Sequence, residues 1–425
     1  MATTRTLERT KLPGALVPLL ILLGVSVFIN YIDRGNLSIA APLLKDELSI
    51  TPRQLGFLLS AFFWTYACLQ PVYGWLVDRL NVYWLLAAGY FLWSAATAST
   101  GFIHAFAALF VLRLMVGVGE AVCFPAYSKI IALNYPEEHR GLANSVIAAG
   151  LSLGPGFGML LGGTLMARFG WRPFFIVLGL GSLIWLPAWI KWMPRTKAAP
   201  LDANSAGAPS LLEFLGMRSA WGTCIGLFSG NYMNYFLLTW LPYYLVREQH
   251  FPMHTMARIG GAGYLISAGS STVCGWLSDR WIMAGGSPTL VRKTFVGGGL
   301  TVAGILLGLS SIAGSYGCVL LLWAGMAFWG ASTSNVWAIS QTLAGPQAAG
   351  RWVGFQNGFG NLAGVVVPVV TGFALSRTGN FHWAFAILTL VALSGTASWL
   401  LIVGPVEQVA WGKKSRGSMA AAVGN

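Results

Sequence analysis

Apolar residues occur along this chain in twelve long runs, without the alternation that is typical of strands. The runs cover about 14–42, 54–77, 82–101, 105–134, 141–167, 171–193, 219–246, 255–278, 293–313, 316–343, 351–376 and 381–404. A helix of about 20 apolar residues crosses the roughly 30 Å hydrocarbon core of a bilayer. The pattern therefore predicts an all-α membrane protein with twelve transmembrane helices.

A polar stretch rich in Ala, Pro and Ser separates the sixth apolar run from the seventh. The first run is too long for the apolar region of a signal peptide, so we expect it to remain as the first helix. The chain is therefore predicted to consist of two similar halves with short polar extensions. These parts are a cytoplasmic tail at 1–13, a six-helix bundle at 14–193, a cytoplasmic linker at 194–217, a second six-helix bundle at 218–404 and a cytoplasmic tail at 405–425.

Composition agrees with a membrane protein. Hydrophobic residues make up 56% of the 425 residues and charged residues 9%, whereas a soluble domain carries about 25% charged residues. This excludes a soluble enzyme and a nucleic-acid-binding protein, although the net charge is +13. Most lysines and arginines fall in loops on the side of the N-terminus, which the positive-inside rule assigns to the cytoplasm. We expect a multi-pass protein of the inner (plasma) membrane with both termini cytoplasmic.

A short segment occurs once in each half. Residues 74–79 read GWLVDR at the end of the second run, and residues 275–280 read GWLSDR at the end of the eighth, 201 residues later. Two parallel six-helix halves are a known transporter plan, with the substrate site between them near the midplane. We expect the charges of these segments to form contacts between the halves that close the cytoplasmic gate. The predicted gating residues are Asp78, Arg79, Asp279 and Arg280.

Five ionisable side chains lie away from the ends of the predicted helices: Asp33, Arg34, Arg113, Glu120 and Lys129. A charge at the centre of a membrane helix costs about 2.5–3.5 kcal/mol on insertion scales, so these residues are functional candidates. All five belong to the first half, although Lys129 is close enough to a helix end to reach the interface. We infer that the first half handles charge and protons, whereas the second half forms hydrogen bonds with a polyol. Neutral polar candidates of the second half are Asn231, Tyr235, Asn335, Gln341, Gln356, Asn357 and Asn361.

Helix geometry places the two core arginines at similar depth. At 1.5 Å per residue, Arg34 lies roughly 30 Å from the start of its run, and Arg113 lies roughly 12 Å from the start of a run that enters from the opposite side. Arg34 is the candidate for binding a substrate carboxylate, because a guanidinium is always charged and binds carboxylates through two parallel hydrogen bonds. The alternative is a permanent ion pair of Arg34 with Asp33 or with another helix. Arg113 shares a helical face with Glu120 and could position it or contact substrate.

Asp33 and Glu120 are the candidate proton carriers. Burial favours the protonated form of a carboxyl group, whereas a nearby arginine favours the charged form. An anion that arrives at Arg34 would compete for that arginine and so promote protonation of the neighbouring acid. We expect Asp33, next to Arg34 in the sequence, to respond to substrate and Glu120 to pass the proton inward. The alternative for Glu120 is a structural salt bridge between helices.

The chain resembles the major facilitator superfamily, and within it the anion:cation symporter family. The two G-W-x-x-D-R segments resemble the loop motif of the superfamily. The more specific resemblance is carried by residues 30–37 (NYIDRGNL), 113–126, 231–242 and 359–361 (FGN). It implies a transporter that imports an organic anion together with protons. Members of the family often carry sugar acids such as galactonate, glucarate or hexuronates.

The resemblance also implies residues that bind the substrate. Tyr31 and Tyr66 match family positions that hydrogen-bond the substrate, and Asn361 belongs to the FGN segment. An unpaired amide inside the membrane is costly, which favours a functional role for Asn361. The predicted substrate-binding residues are Arg34, Tyr31, Tyr66, Arg113, Asn231, Tyr235, Gln356, Asn357 and Asn361.

Two departures from the family pattern leave the substrate open. Sugar-acid importers of the family often carry a glutamine in the middle of the fifth helix, where this chain has Leu151 or Ser152. A Ser-Asp pair is common in the tenth helix, where residues 337–342 read WAISQT. A less hydroxylated or an aromatic carboxylic acid is therefore an alternative substrate.

Two further functions are alternatives to anion import. The same fold could export drugs by proton antiport, which the 19 tryptophans permit, but the buried arginines favour an anion importer. A membrane sensor that does not transport is disfavoured by the short loops. We expect no enzymatic reaction, cofactor, metal or nucleic-acid partner. The expected partners are a small organic anion, a proton and the lipid bilayer, and we expect a monomer.

Overall fold

The structure is a computed structural model that describes residues 16–135, 137–194, 213, 215–409 and 411. Every secondary-structure element in this part of the chain is helical. The predicted tail 1–13 lies outside the described residues, as do most of the predicted linker and most of the C-terminal tail.

Six helices form the first half. They are α1 (Val17–Glu47), α2 (Pro52–Arg79), α3 (Val82–Thr100), α4 (Phe106–Asn134), α5 (Glu137–Phe157, a π-helical turn Gly158–Gly162, and Gly163–Phe169) and α6 (Trp171–Trp192). A short irregularity divides α4 into Phe106–Glu120 and Cys123–Asn134. Glu120 is therefore the last residue of a helical segment in the middle of the crossing.

Six helices form the second half. They are α7 (Arg218–Arg247), α8 (Met253–Met283), α9 (Pro288–Ser310), α10 (Ser315–Gly345), α11 (Trp352–Thr378) and α12 (His382–Ile402). The helical stretch Ser315–Thr378 is interrupted at Gly345, whose φ of 64° is a left-handed conformation that favours glycine. Beside this break, Val409 N donates to Leu343 O at 2.9 Å. The start of the C-terminal tail thus packs on the end of α10.

Local sequence signals explain where several helices begin. Thr51 and Gln54 form a capping box at the start of α2, in which each side chain bonds the backbone N–H of the other residue. Asn81 Oδ1 accepts from Tyr83 N at 3.0 Å and caps α3. Gly170, with φ 81°, makes the turn from α5 to α6.

Nine helical spans in the described part of the chain are long and apolar enough to cross a membrane. The other three helices, α3, α7 and α8, are less apolar, but their 19, 30 and 31 residues are also sufficient for a crossing. The prediction of an all-α protein with twelve transmembrane helices in two six-helix halves is confirmed.

The two halves pack together through the helix pairs α1–α7, α2–α11 and α5–α8. Both described chain ends lie on one face of the bundle, which we call the terminal side, because an even number of crossings separates them; the opposite face is the distal side. Glycines permit the close approach. A Cβ on Gly56 of α2 would lie 2.5 Å from Pro368 O of α11, and a Cβ on Gly260 of α8 would lie 1.9 Å from Met159 Sδ of α5.

Hydrogen bonds that join described residues of the two halves all lie between α1 and α7, toward the distal side. Ser38 Oγ donates to Leu238 O at 2.6 Å. Arg247 Nη2 donates to Pro42 O at 2.8 Å and also pairs with the Asp46 carboxylate. The distal side is therefore held closed by backbone and side-chain contacts.

Cover is lost toward the terminal side. In α2, Tyr66 is 3% exposed, whereas Val72 and Trp75 are 45% and 52% exposed. In α8, Tyr264 is 4% exposed and Leu277 is 42% exposed. The helices that meet at the distal side thus separate toward the terminal side, and the space between the halves opens in that direction.

Candidate functional site

The guanidinium of Arg34 lies in the middle of α1, among aromatic rings and one carboxylate. Its Nε donates to Glu120 Oε2 at 3.0 Å, and the two side chains are 4% and 0% exposed. Its Cζ lies 4.6 Å from the ring centre of Tyr31 and 4.4 Å from that of Tyr66. These cation–π contacts and the ion pair fix the guanidinium. Its Nη2 is buried and has no hydrogen-bond partner among the described residues.

Asp33 faces a different helix. Its Oδ2 accepts from Thr97 Oγ1 of α3 at 2.5 Å, and its Oδ1 accepts from Asn36 Nδ2 at 3.2 Å. Successive residues of a helix point in directions about 100° apart, because 3.6 residues complete a turn. The expectation that Asp33 is the acid that responds at Arg34 is therefore corrected, since Glu120 is the carboxylate in contact with that arginine.

Arg113 and Arg34 approach the same ring. The Cζ of Arg113 lies 5.6 Å from the ring centre of Phe62, and the Cζ of Arg34 lies 5.3 Å from it. The expectation of similar depth for the two arginines is confirmed. Arg113 is 4% exposed, its Nε has no partner in the described part of the chain, and it is attracted to Asp33 and Glu120. It is a buried cation without a direct ion pair.

The second half contributes neutral polar groups next to this cluster. Tyr235 Oη donates to Asn361 Oδ1 at 2.6 Å, and Asn361 Nδ2 donates to Asn357 O at 2.9 Å. The ring of Tyr235 lies 4.5 Å from that of Phe63 on α2. The structure thus brings Tyr235 and Asn361 to the boundary with the first half, while the side chain of Asn357 is half-buried nearby.

Two other predicted residues of the second half lie at the contact between α7 and α11. Gln356 is fully buried, and its Nε2 lies 3.3 Å from Thr223 O of α7. Asn231 is half-buried, and its Nδ2 would lie 3.1 Å from a Cβ on Gly360. Gln356 is therefore bonded inside the second half and is not gathered around Arg34.

The predicted gating residues lie at the terminal side. The Cζ of Arg79 stacks 4.1 Å from the ring of Trp75, and that of Arg280 lies 5.4 Å from the ring of Trp276. Arg79, Asp279 and Arg280 are exposed, and the side chain of Asp78 lies outside the described residues. In this arrangement each motif arginine rests on its own helix. A role in closing the terminal side stays a prediction.

Sequence reasoning did not identify the residues that support the charges. Phe62 stands between the two arginines, and Thr97 and Asn36 hold the carboxylate of Asp33. Asn36 belongs to the segment 30–37 that carries the family resemblance, so its spacing of three from Asp33 was available as a signal. Phe62 and Thr97 are ordinary residues of apolar runs, and their roles arise only from helix packing.

Charges at the distal side were also overlooked. Glu47 accepts from Trp171 Nε1 at 2.6 Å and from Arg172 Nη2 at 2.6 Å, which ties α1 to α6 within the first half. The preceding residue, Asp46, pairs instead with Arg247 of the second half. Two adjacent carboxylates thus serve different halves.

A comparison with known families agrees with this architecture. The model of the Major Facilitator Superfamily matches residues 23–368, which is most of the chain. The probable galactarate/D-glucarate transporter GudP of Bacillus subtilis (strain 168) is 28% identical over 422 residues, covering 91% of this chain and 92% of that protein. The D-galactonate transporter of Escherichia coli O6:H1 is 29% identical over 415 residues, covering 92% and 96%.

A solved structure shares the fold. The crystal structure of a bacterial homolog to the human lysosomal transporter Spinster, in an inward-facing and unoccupied conformation, matches with a TM-score of 0.75 and 19% identity, covering 92% of this chain and 96% of that one. The family model, the relatives and the fold together exclude an enzyme. The chain belongs to the Major Facilitator Superfamily of membrane transporters.

Proposed function

We propose that this protein is a secondary transporter that imports an organic anion together with protons across the inner (plasma) membrane. The observation that carries the proposal is the buried Arg34, whose Nε binds Glu120 while its Nη2 has no partner among the described residues. The relatives carry galactarate, glucarate and galactonate according to their names. A sugar acid is therefore the first substrate class to test, with an aromatic or other carboxylic acid as the alternative.

Arg34 has the chemistry to bind the substrate carboxylate. A guanidinium offers five N–H donors in a planar fork, so it can hold one carboxylate through Nε and another through its terminal nitrogens. The rings of Tyr31 and Tyr66 hold it in place, and a preorganised cation loses less entropy when it binds. The substrate carboxylate would thus bind beside Glu120 and draw the arginine toward itself.

Glu120 is the proposed site of proton coupling. Its Oε1 has no hydrogen-bond partner in the described structure, and its Oε2 depends on Arg34. An anion that takes over Arg34 leaves a buried carboxylate without its cation, and a carboxyl group in that position favours the neutral form. Substrate binding and proton uptake would therefore favour each other. Asp33, bonded to Thr97, is proposed as a second and less direct proton site.

The arrangement of the halves supports alternating access. With both termini in the cytoplasm, the terminal side faces inward, and the contacts of Arg247 with α1 close the outward path. The structure would then represent a state open to the cytoplasm. We propose that Asp78, Arg79, Asp279 and Arg280 make contacts between the halves in the opposite state.

Uptake into proteoliposomes with an imposed inward proton gradient tests the proposal. The panel would contain radiolabelled galactonate, glucarate, glucuronate and 4-hydroxyphenylacetate, with neutral galactose as the control. We expect one acid to accumulate, to stop accumulating when the gradient is collapsed, and to be ignored by Arg34→Ala. If no acid is taken up and a lipophilic cation is extruded instead, the protein is a drug exporter and the role of Arg34 is wrong.

A further inference from the structure

Charged groups in the membrane core are confined to one half of the described structure. Arg34 with Glu120 and Arg113 with Asp33 lie in α1 and α4, and Lys129, deeper in α4, is already engaged with another group. In the second half, each described charged residue of a crossing lies within six residues of a helix end. The face that this half presents to Arg34 is therefore polar and uncharged.

The site extends continuously from Arg34 to that neutral face. The rings of Phe62 and Phe63 are 4.9 Å apart, and the ring of Tyr235 follows at 4.5 Å from Phe63. Tyr235 then donates to Asn361, which bonds the backbone of the residue one turn earlier, Asn357. A substrate whose carboxylate is bound at Arg34 and whose body crosses between the halves therefore ends at these two amides.

Neutral amides discriminate between a hydroxyl group and a carboxylate. A hydroxyl both donates and accepts, so it can satisfy the oxygen and the nitrogen of an asparagine, whereas an ionised carboxylate only accepts. A buried anion without a cation also loses its hydration without a compensating ion pair. The groups Asn357 and Asn361 thus suit an alcohol far better than a second acid.

Arg113 does not remove this asymmetry. It lies in the same half as Arg34, on the same Phe62 ring, and it is attracted to Asp33. A second carboxylate that reached Arg113 would compete with Asp33 and would have to fold back into the first half. It would leave the amides of the second half without their hydroxyl partner.

We infer that the transported anion is a monocarboxylate, with its single charge at Arg34 and an uncharged, hydroxyl-bearing end at Asn357 and Asn361. This inference rests on the proposed function and narrows it, because the names of the relatives include both monoacids and diacids. One substrate charge takes the place of one ionised Glu120 at Arg34. The transport step therefore carries one proton per anion and moves no net charge.

Matched pairs of acids with the same carbon skeleton test the inference. Uptake and competition would be measured in proteoliposomes at neutral pH for galactonate against galactarate, gluconate against glucarate, and benzoate against terephthalate. We expect the monoacid of the transported pair to compete at least about tenfold better than its diacid, equivalent to about 1.4 kcal/mol. Uptake should also be insensitive to a potassium diffusion potential of either sign.

Two variants of one residue give the inference a positive control. Asn357→Lys places a cation on the second half, and Asn357→Met has a similar length without the charge. The side chain of Asn357 is half-buried, so a longer residue has room to reach the site. The lysine variant should narrow or reverse the preference for the monoacid, whereas the methionine variant should weaken both acids alike.

The possible outcomes separate the inference from the function beneath it. A diacid that competes as well as its monoacid in the unaltered protein overturns the inference and leaves anion import standing. Anion uptake that responds to membrane potential overturns the one-to-one exchange of charge. If no acid of any pair is taken up, the proposed function fails, and the inference fails with it.

Discussion

The two halves of this transporter share a fold and a loop segment but differ in what they bring to the site. In the first half, α1 and α4 bury two arginines and two carboxylates, with Arg34 bonded to Glu120. In the second half, α7 and α11 contribute a tyrosine and an asparagine bonded to each other. Duplication thus preserved the packing of helices, while the chemistry of each half diverged.

This difference has an energetic reason. Buried charges are tolerable only when each has a partner, and a partner is most reliably held within one rigid half. A charge pair that bridged the moving interface would have to be broken and desolvated in every cycle. Neutral hydrogen bonds cost less to break, at about 0.5–1.5 kcal/mol each. The second half can therefore close on the substrate and release it without stranding a charge.

Arg34→Ala should have the largest effect. It removes the proposed carboxylate ligand and leaves Glu120 buried without its cation, and loss of one member of such a pair costs about 2 kcal/mol or more. We expect substrate affinity in a binding assay to fall at least about 30-fold. Arg34→Lys keeps the charge but not the planar fork, so it should recover only part of the affinity. Full affinity in the alanine variant would exclude Arg34 as the anion site.

Glu120→Gln should separate binding from coupling. The amide cannot release a proton, so we expect the variant to exchange substrate across the membrane but not to concentrate it under a pH gradient. Accumulation and counterflow in proteoliposomes measure the two properties.

Asp33→Asn is the matched comparison for the other acid. Because Asp33 bonds Thr97 and not Arg34, it should retain more pH-driven accumulation than Glu120→Gln. If both variants still concentrate substrate, neither acid carries the coupled proton.

Tyr235→Phe should produce a moderate effect on the second half. It removes the hydrogen bond to Asn361 and keeps the ring against Phe63. We expect affinity to fall about 2–10-fold, with the response to pH unchanged, as a neutral hydrogen bond is worth about 0.5–1.5 kcal/mol. A lost response to pH would show that the second half takes part in proton coupling and would end the proposed division.

Asp46→Asn should have the smallest effect, because it weakens a contact between the halves that is partly exposed. The side chains of Arg247 and Asp46 are 34% and 63% exposed, and exposed pairs contribute about 0–1 kcal/mol. We expect the balance between the two states to shift toward distal opening by less than about fivefold, measured by labelling of a cysteine placed on the distal part of α7.

Glu47→Gln is the control for that variant. Glu47 bonds Trp171 and Arg172 within the first half, so its loss should lower thermal stability and leave the labelling unchanged. Equal labelling of the two variants would show that the Asp46–Arg247 pair does not hold the halves together.

The site could be predicted from the sequence where a single residue is unusual for its surroundings. Arg34, Arg113 and Glu120 stand out because charges are rare in apolar runs. Gln356 stands out in the same way, yet the structure bonds it to the backbone of α7. Polarity in a membrane helix identifies a group that needs a partner, but it does not say whether that partner is the substrate or the protein.

The sequence by itself determined the number of helices, the two-fold plan and the half that holds the charges, because apolar length and the cost of a buried charge are local properties. Only the tertiary structure decided that Glu120, rather than Asp33, pairs with Arg34, that Phe62 stands between the arginines, and that the distal side is closed. These facts depend on the direction in which each side chain leaves its helix and on which helix faces it. Such directions follow from the packing of residues distant in the chain.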